Sequence, residues 1–206
     1  PGHFDLDARI KDLDAAGLDT QVISVTIPGP DTLEPENGIY WSKKCNDALK
    51  QAEEKYPGRF YWMATLPYQA PDEAVKELER CVEMGCKGIQ MFSNFAGEPV
   101  FLPKFDGVWE LANKHKLPAL VHPANPLVGP IMDKMKIPYQ LWAYTLDTSM
   151  AVLGMIFQGK FEQFPNLRMV HGHLGGMVPY FVRRLQDSYK GYGKEWGIEL
   201  SESPDL

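Results

Sequence analysis

Apolar runs of strand length alternate with helical patterns along most of this chain, and that alternation leaves few folds open. Strand-like runs cover residues 20–26, 60–66, 88–93, 118–122 and 168–173, and helical spacing marks residues 7–16, the stretch after the 27–36 loop to about 55, then 71–84, 105–116, 139–158 and 177–189. Gly17 supplies a terminator for the first helix, and Pro71-Asp-Glu suits the first turn of a later one. Strands separated by helices imply βαβ units, parallel pairing and right-handed crossovers. Neither Gly-x-Gly-x-x-Gly nor Gly-x-x-x-x-Gly-Lys follows any of these strands, which argues against a nucleotide-binding doubly wound sheet. The expectation is an α/β fold, a (β/α)8 TIM barrel of which this chain carries about the second to sixth strands, as one incomplete domain over residues 1–206. A proline- and glycine-rich loop is expected over 123–138, and a trailing loop from Gly191 onward.

Charge and cysteine content narrow the partners. The net charge of −6 arises from interspersed acids and bases without a basic block, which disfavours nucleic acid and anionic membrane. No apolar stretch reaches the ~20 residues of a membrane span, and the first residues lack a signal-peptide pattern, so a cytoplasmic location is expected. Cys45, Cys81 and Cys86 have neither even number nor CxxC spacing and read as reduced thiols.

In a barrel, ligands sit at the carboxyl ends of strands, so the histidines there attract the chemistry. His122 ends one apolar run, and Pro123 stops that strand from continuing, which makes His122 the metal-ligand candidate against a hydrogen-bonded core histidine. His171 and His173 lie two apart, so a strand through both faces them the same way about 6.6 Å apart. His173, nearest the Gly175-Gly176 turn, is the catalytic candidate. His171 is expected one layer deeper as a core histidine, with a two-histidine metal chelate as the sharper alternative. Substrate-binding candidates are Arg184, whose fork suits a carboxylate, with Asn94 and Trp142 as pocket lining. The bland alternatives are a solvated arginine pair at Arg183 and Arg184, a loop-capping amide and a core aromatic. His3 and His115 read as background.

Taken in order, Met63-Ala-Thr-Leu-Pro67, Gly85-Cys-Lys-Gly-Ile-Gln90, Leu117-Pro-Ala-Leu-Val-His-Pro123, Gly159-Lys-Phe-Glu-Gln-Phe-Pro-Asn-Leu167 and Gly172-His-Leu-Gly-Gly176 form a joint pattern. With it the chain resembles the aminocarboxymuconate-semialdehyde decarboxylase-like branch of the amidohydrolase superfamily. The resemblance implies one divalent metal, usually zinc with manganese as the alternative, held by an early His-x-His, a fifth-strand histidine and a late aspartate. It matches His122 to the fifth-strand ligand and His173 to an acid/base histidine. It matches Arg184 to an arginine that reaches a neighbouring subunit's substrate carboxylate, hence a homodimer or higher homo-oligomer. Asp147-Thr148 stands where many relatives carry Glu-Thr, and His171 replaces a commonly apolar residue. The His-x-His and the late aspartate do not fall within these residues and are expected outside them, this sequence being the middle of a longer protein.

The leading reading is a metal-dependent, non-oxidative decarboxylase of an unsaturated or aromatic carboxylic acid, a small-molecule substrate. A hydrolase or hydratase built on the same site, and a catalytically inactive barrel that binds a partner, are the alternatives.

Overall fold

Asp5 accepts the backbone N–H groups of Asp7 at 2.9 Å and Ala8 at 3.1 Å, capping α1 (Leu6–Ala15), and Gly17 beyond its end takes φ +67°. The computed structural model describes residues 5–202, so His3 lies outside the described residues. The chain divides into two compact units, Pro1–Gln90 and Met91–Leu206.

In the first unit α1 is followed by β1 (Gln21–Ile23), α2 (Pro35–Lys55), β2 (Phe60–Trp62), β3 (Ala64–Thr65), α3 (Pro71–Glu83) and β4 (Ile89–Phe92), whose last two residues belong to the second unit. The expected strand over 60–66 is one run with two neighbours. Its first half pairs parallel to β1, Val22 opposite Tyr61, and its second half pairs parallel to β4, Ala64 opposite Ile89. The handover falls at Met63, where the Met63 N–H donates to Ile23 O and the next, Ala64 N–H, donates to Gly88 O. Parallel strands covered on both faces carry apolar side chains in both directions, and Ile89 through Phe92 are accordingly all buried. Helix α3 opens with Pro71, carries Asp72 and Glu73 in its first turn, and buries Ala74, Leu78 and Cys81, one stripe at helical spacing.

A polar stitch ties α2 to this layer. Asn46, fully buried, donates through Nδ2 to Thr65 O at 2.9 Å and to Glu77 Oε1 at 2.8 Å, and its Oδ1 accepts the Thr65 N–H at 2.9 Å. Glu77 in turn accepts from Arg80, which also grips Asp47 at 2.7 Å.

The second unit continues with β5 (Asn94–Phe95) and β6 (Glu98–Pro99), then α4 (Asp106–His115), β7 (Pro118–His122), α5 (Gly129–Met135), α6 (Ala143–Phe157), α7 (Lys160–Gln163), β8 (Arg168–His171), a one-turn segment α8 (Gly172–Gly175) and α9 (Val178–Tyr192). β7 and β8 pair parallel, with Val121 opposite His171, while β5 and β6 form a tiny antiparallel hairpin. Three expectations are corrected. The loop expected over 123–138 contains α5, which Pro130 helps to start and Lys136, at φ +55°, closes. The helix expected from Tyr139 begins as the 3-10 turn Tyr139–Leu141, and α6 proper starts at Ala143. The last strand stops at His171 instead of running through His173.

Replacing Asn46 with Ala strands the buried Thr65 N–H and takes one donor from Glu77 Oε1, which keeps Arg80. Urea unfolding is expected to show a loss of roughly 2–4 kcal/mol relative to wild type; a loss below about 0.5 kcal/mol would show that the stitch carries little.

Candidate active site

The two histidine-bearing strand ends meet in the second unit. His122 is the last residue of β7, and its Nδ1 lies 2.9 Å from Pro123 O. A carbonyl only accepts, so this contact is a hydrogen bond when Nδ1 carries a proton, and the Nδ1-protonated tautomer is the one that leaves Nε2 to a metal. Phe92 stands edge-on to the ring, centroids 6.4 Å apart.

The parallel register puts His171, not His173, opposite Val121, one residue short of the level of His122. His173 reaches that level by a turn. Gly172 lets the chain pass over β7 so closely that a Cβ there would sit 2.9 Å from Val121 O, after which His173 and Leu174 both adopt left-handed backbone, φ 54° and 55°. Two successive non-glycine residues in that region cost on the order of 1 kcal/mol each, a strain tolerated where the surroundings fix it. The result brings the His173 ring to 6.2 Å, centroid to centroid, from both His122 and Tyr144 of α6. The expectation that His171 and His173 face one way along a strand is therefore corrected: they sit on different elements. His171 is half-buried, its Nε2 is enclosed and without a partner among the described residues, and the Gly176 backbone closes over it.

Behind His122 lies a buried carboxylate that carried no role in the sequence reading. Asp147, on α6 and 2% exposed, accepts from the Ser93 hydroxyl, from Asn94 Nδ2 at 2.9 Å and from the Leu127 N–H at 3.1 Å. Ser93 also gives its N–H to His122 O and accepts the Ala124 N–H, both at 2.9 Å. The stretch that follows β7 is thus tied at three points to α6 and to the end of β4. A signal for this was present: Thr145, Asp147, Thr148 and Ser149 interrupt an otherwise apolar helix, and buried polar groups come with partners. A cavity of about 100 Å³ opens beside the carboxylate, walled by Phe101, Leu127 and Met150.

The remaining candidates fall elsewhere. Asn94 is 3% exposed and engaged three ways, with Asp147, with Asn125 O at 3.0 Å and with the Gly97 N–H at 2.8 Å. Trp142 precedes α6 and is 46% exposed. Arg184 lies exposed on α9 and lines an open groove of about 530 Å³ with Tyr180, Arg183, Asp187 and Tyr192, where Arg183 pairs with Asp187 at 2.8 Å. His115 ends α4. No group of three or more His, Cys, Asp or Glu side chains among the described residues is arranged to hold a metal. A catalytic zinc-type site draws on about three protein ligands, which the described residues do not bring together. No described helix is long and apolar enough to cross a membrane.

Comparison with known proteins places this arrangement. A family model of the amidohydrolases matches residues 1–196. The chain belongs to that family, and its parallel α/β fold is part of the family's (β/α)8 barrel. Among curated relatives, gamma-resorcylate decarboxylase of a Rhizobium species is 31% identical over 191 residues, covering 87% of this chain and 58% of that protein. The 2-amino-3-carboxymuconate-6-semialdehyde decarboxylase of Dictyostelium discoideum is 29% identical, covering 90% and 52%. Among solved structures, 5-carboxyvanillate decarboxylase of Novosphingobium aromaticivorans, with bound manganese and 3-methoxy-4-hydroxy-5-nitrobenzoic acid, superposes with a TM-score of 0.90 at 28% identity, covering 97% of this chain and 60% of that one. The chain spans a little over half the length of the curated relatives it matches.

Burial, and secondarily the neighbouring His173, hold the pKa of His171 below its ordinary 6.5; burial, and secondarily His122, do the same for His173. A folded-state pKa below the unfolded value means that the unfolded chain takes up the proton first. These groups therefore leave stability untouched above about pH 7 and erode it as pH falls through the unfolded value near 6.5. The histidines' share of the unfolding free energy is expected to fall as pH drops below about 7, opposed by Asp31, whose pKa burial pushes up to about 6, and His171→Leu is expected to remove part of the histidines' share from the pH slope. A variant with the wild-type slope would assign the dependence to other groups.

Proposed function

We propose that the protein to which this chain belongs is a metal-dependent, non-oxidative decarboxylase of a small aromatic carboxylic acid. The observation that carries this reading is the approach of His173 to His122, 6.2 Å between ring centroids, at the carboxyl ends of adjacent parallel strands. The relatives named above support it, being decarboxylases of hydroxybenzoate-type or muconate-type acids.

His122, with its proton held on Nδ1, would hold a divalent metal through Nε2 together with ligands from residues outside this sequence. The metal supplies Lewis-acid polarisation of a substrate oxygen when bound. The bond between ring carbon and carboxylate breaks, its electron pair stays on the carbon, and CO₂ leaves. That carbon needs one proton in exchange, and His173, held in the mouth of the site, moves it. Partial desolvation, and secondarily His122, lower the pKa of His173, which disfavours its charged form.

Zinc and manganese both suit the role; manganese in the related carboxyvanillate decarboxylase favours testing it first. We further propose a homodimer or higher homo-oligomer in which Arg184 faces a neighbouring subunit's substrate carboxylate, with Trp142 near the entrance, in a cytoplasmic enzyme. The exposed position of Arg184 on α9 is compatible with that reach.

The test is CO₂ release from hydroxylated benzoic acids by the full-length, metal-loaded protein, followed by high-performance chromatography of the product. His173→Ala is expected to lower kcat by at least about 100-fold, in the range of lost general acid–base catalysis. Chelation is expected to abolish turnover, and added metal to restore it. Full activity of His173→Ala on every accepted substrate would overturn the proposal.

A further inference from the structure

We propose that Ser149 is a positioning residue for His173, seating from α6 the strained turn on which that histidine rides. The inference rests on the role assigned to His173 above.

The turn is held at both ends. At its entry, Gly172 lies against Val121 O of β7. Within it, the Gly176 N–H closes back onto His173 O at 2.9 Å. At its exit, the Met177 N–H donates to Ser149 Oγ at 2.8 Å, while the Ser149 hydroxyl donates its own proton to Thr145 O at 2.6 Å. A hydroxyl has one proton, so the bond to Thr145 commits Oγ to the acceptor role and aims its lone pairs at Met177. Ser149 is itself 3% exposed, which keeps water from substituting for it.

Gly176 shows how tightly the seat is made. A Cβ at that position would come within 2.5 Å of Ser149 Oγ, 2.7 Å of Thr145 O and 3.1 Å of His171 Nε2, and its φ of +58° is itself a glycine conformation. The backbone is pressed onto α6 at the one point where a side chain would push it off. Within the turn, only the Gly176 N–H bond to His173 O holds His173 and Leu174 left-handed among the described residues, and Leu174 is 99% exposed. Their conformation is otherwise fixed from outside, by β7 at one end and Ser149 at the other. Because α6 also carries Tyr144, whose ring stands beside His173, one helix sets both the backbone seat and a wall of the ring's environment.

The test uses the full-length protein loaded with zinc, a diamagnetic ion that leaves nearby ring resonances observable, and labelled with 13C at histidine rings, as wild type, Ser149→Ala and Ser149→Thr. In Ser149→Ala the His173 ring resonance is expected to shift while that of His115, at the end of α4, stays in place. With an accepted aromatic acid, kcat is expected to fall about tenfold or more with KM within about twofold, as befits a displaced but intact proton donor. Ser149→Thr, which keeps the hydroxyl, is expected to restore both. An unmoved His173 resonance with wild-type kcat in Ser149→Ala would overturn the inference. So would a loss of kcat matched by a loss of folded protein in which His115 shifts as well. If the wild-type protein releases no CO₂ from any acid, the functional reading falls, and the ring resonances alone decide the role of Ser149.

Discussion

The arrangement around the site depends on one buried carboxylate. Asp147 gathers the Ser93 hydroxyl, the Asn94 amide and the Leu127 N–H, and through Ser93 it is linked to the backbone on both sides of Pro123, the His122 carbonyl and the Ala124 N–H. A carboxylate out of water is costly unless its oxygens are satisfied, so each of these donors is held in place by the penalty of losing it. The loop after β7 contains two prolines and has little secondary structure before α5. Its course is set by this network, and with it the direction in which His122 leaves its strand.

The second constraint is backbone geometry. Register places His171 where a strand residue naturally falls, beneath the mouth, and only a left-handed turn carries His173 forward to the level of the His122 ring. Glycines flank that turn because the chain approaches β7 at Gly172 and α6 at Gly176 more closely than a side chain permits. Strain in His173 and Leu174 is thereby offset by contacts on two neighbouring elements. The geometry suits a group that must hold position while moving a proton.

Much of this was legible beforehand. The alternation of strand and helix periods, the glycine after α1, the proline-led opening of α3 and His122 at a strand end all report local physics, and all recur in the structure. What escaped was non-local. Helix α5 hid in a proline-rich stretch because such residues signal loops as well as helix starts. Asn94 lines the small cavity beside Asp147, but an amide after a strand carries no mark of the buried carboxylate it meets 53 positions later.

By itself, the sequence determined the class of fold and marked the candidate histidines, since periodicity and turn residues are properties of short stretches. Only the tertiary structure decided that His173, already expected beyond His171, comes beside His122 by a left-handed turn and not along the strand, and that α6 anchors the stretches carrying both. Those outcomes depend on strand register and on buried polar groups finding partners far along the chain, and both are settled only when the elements pack.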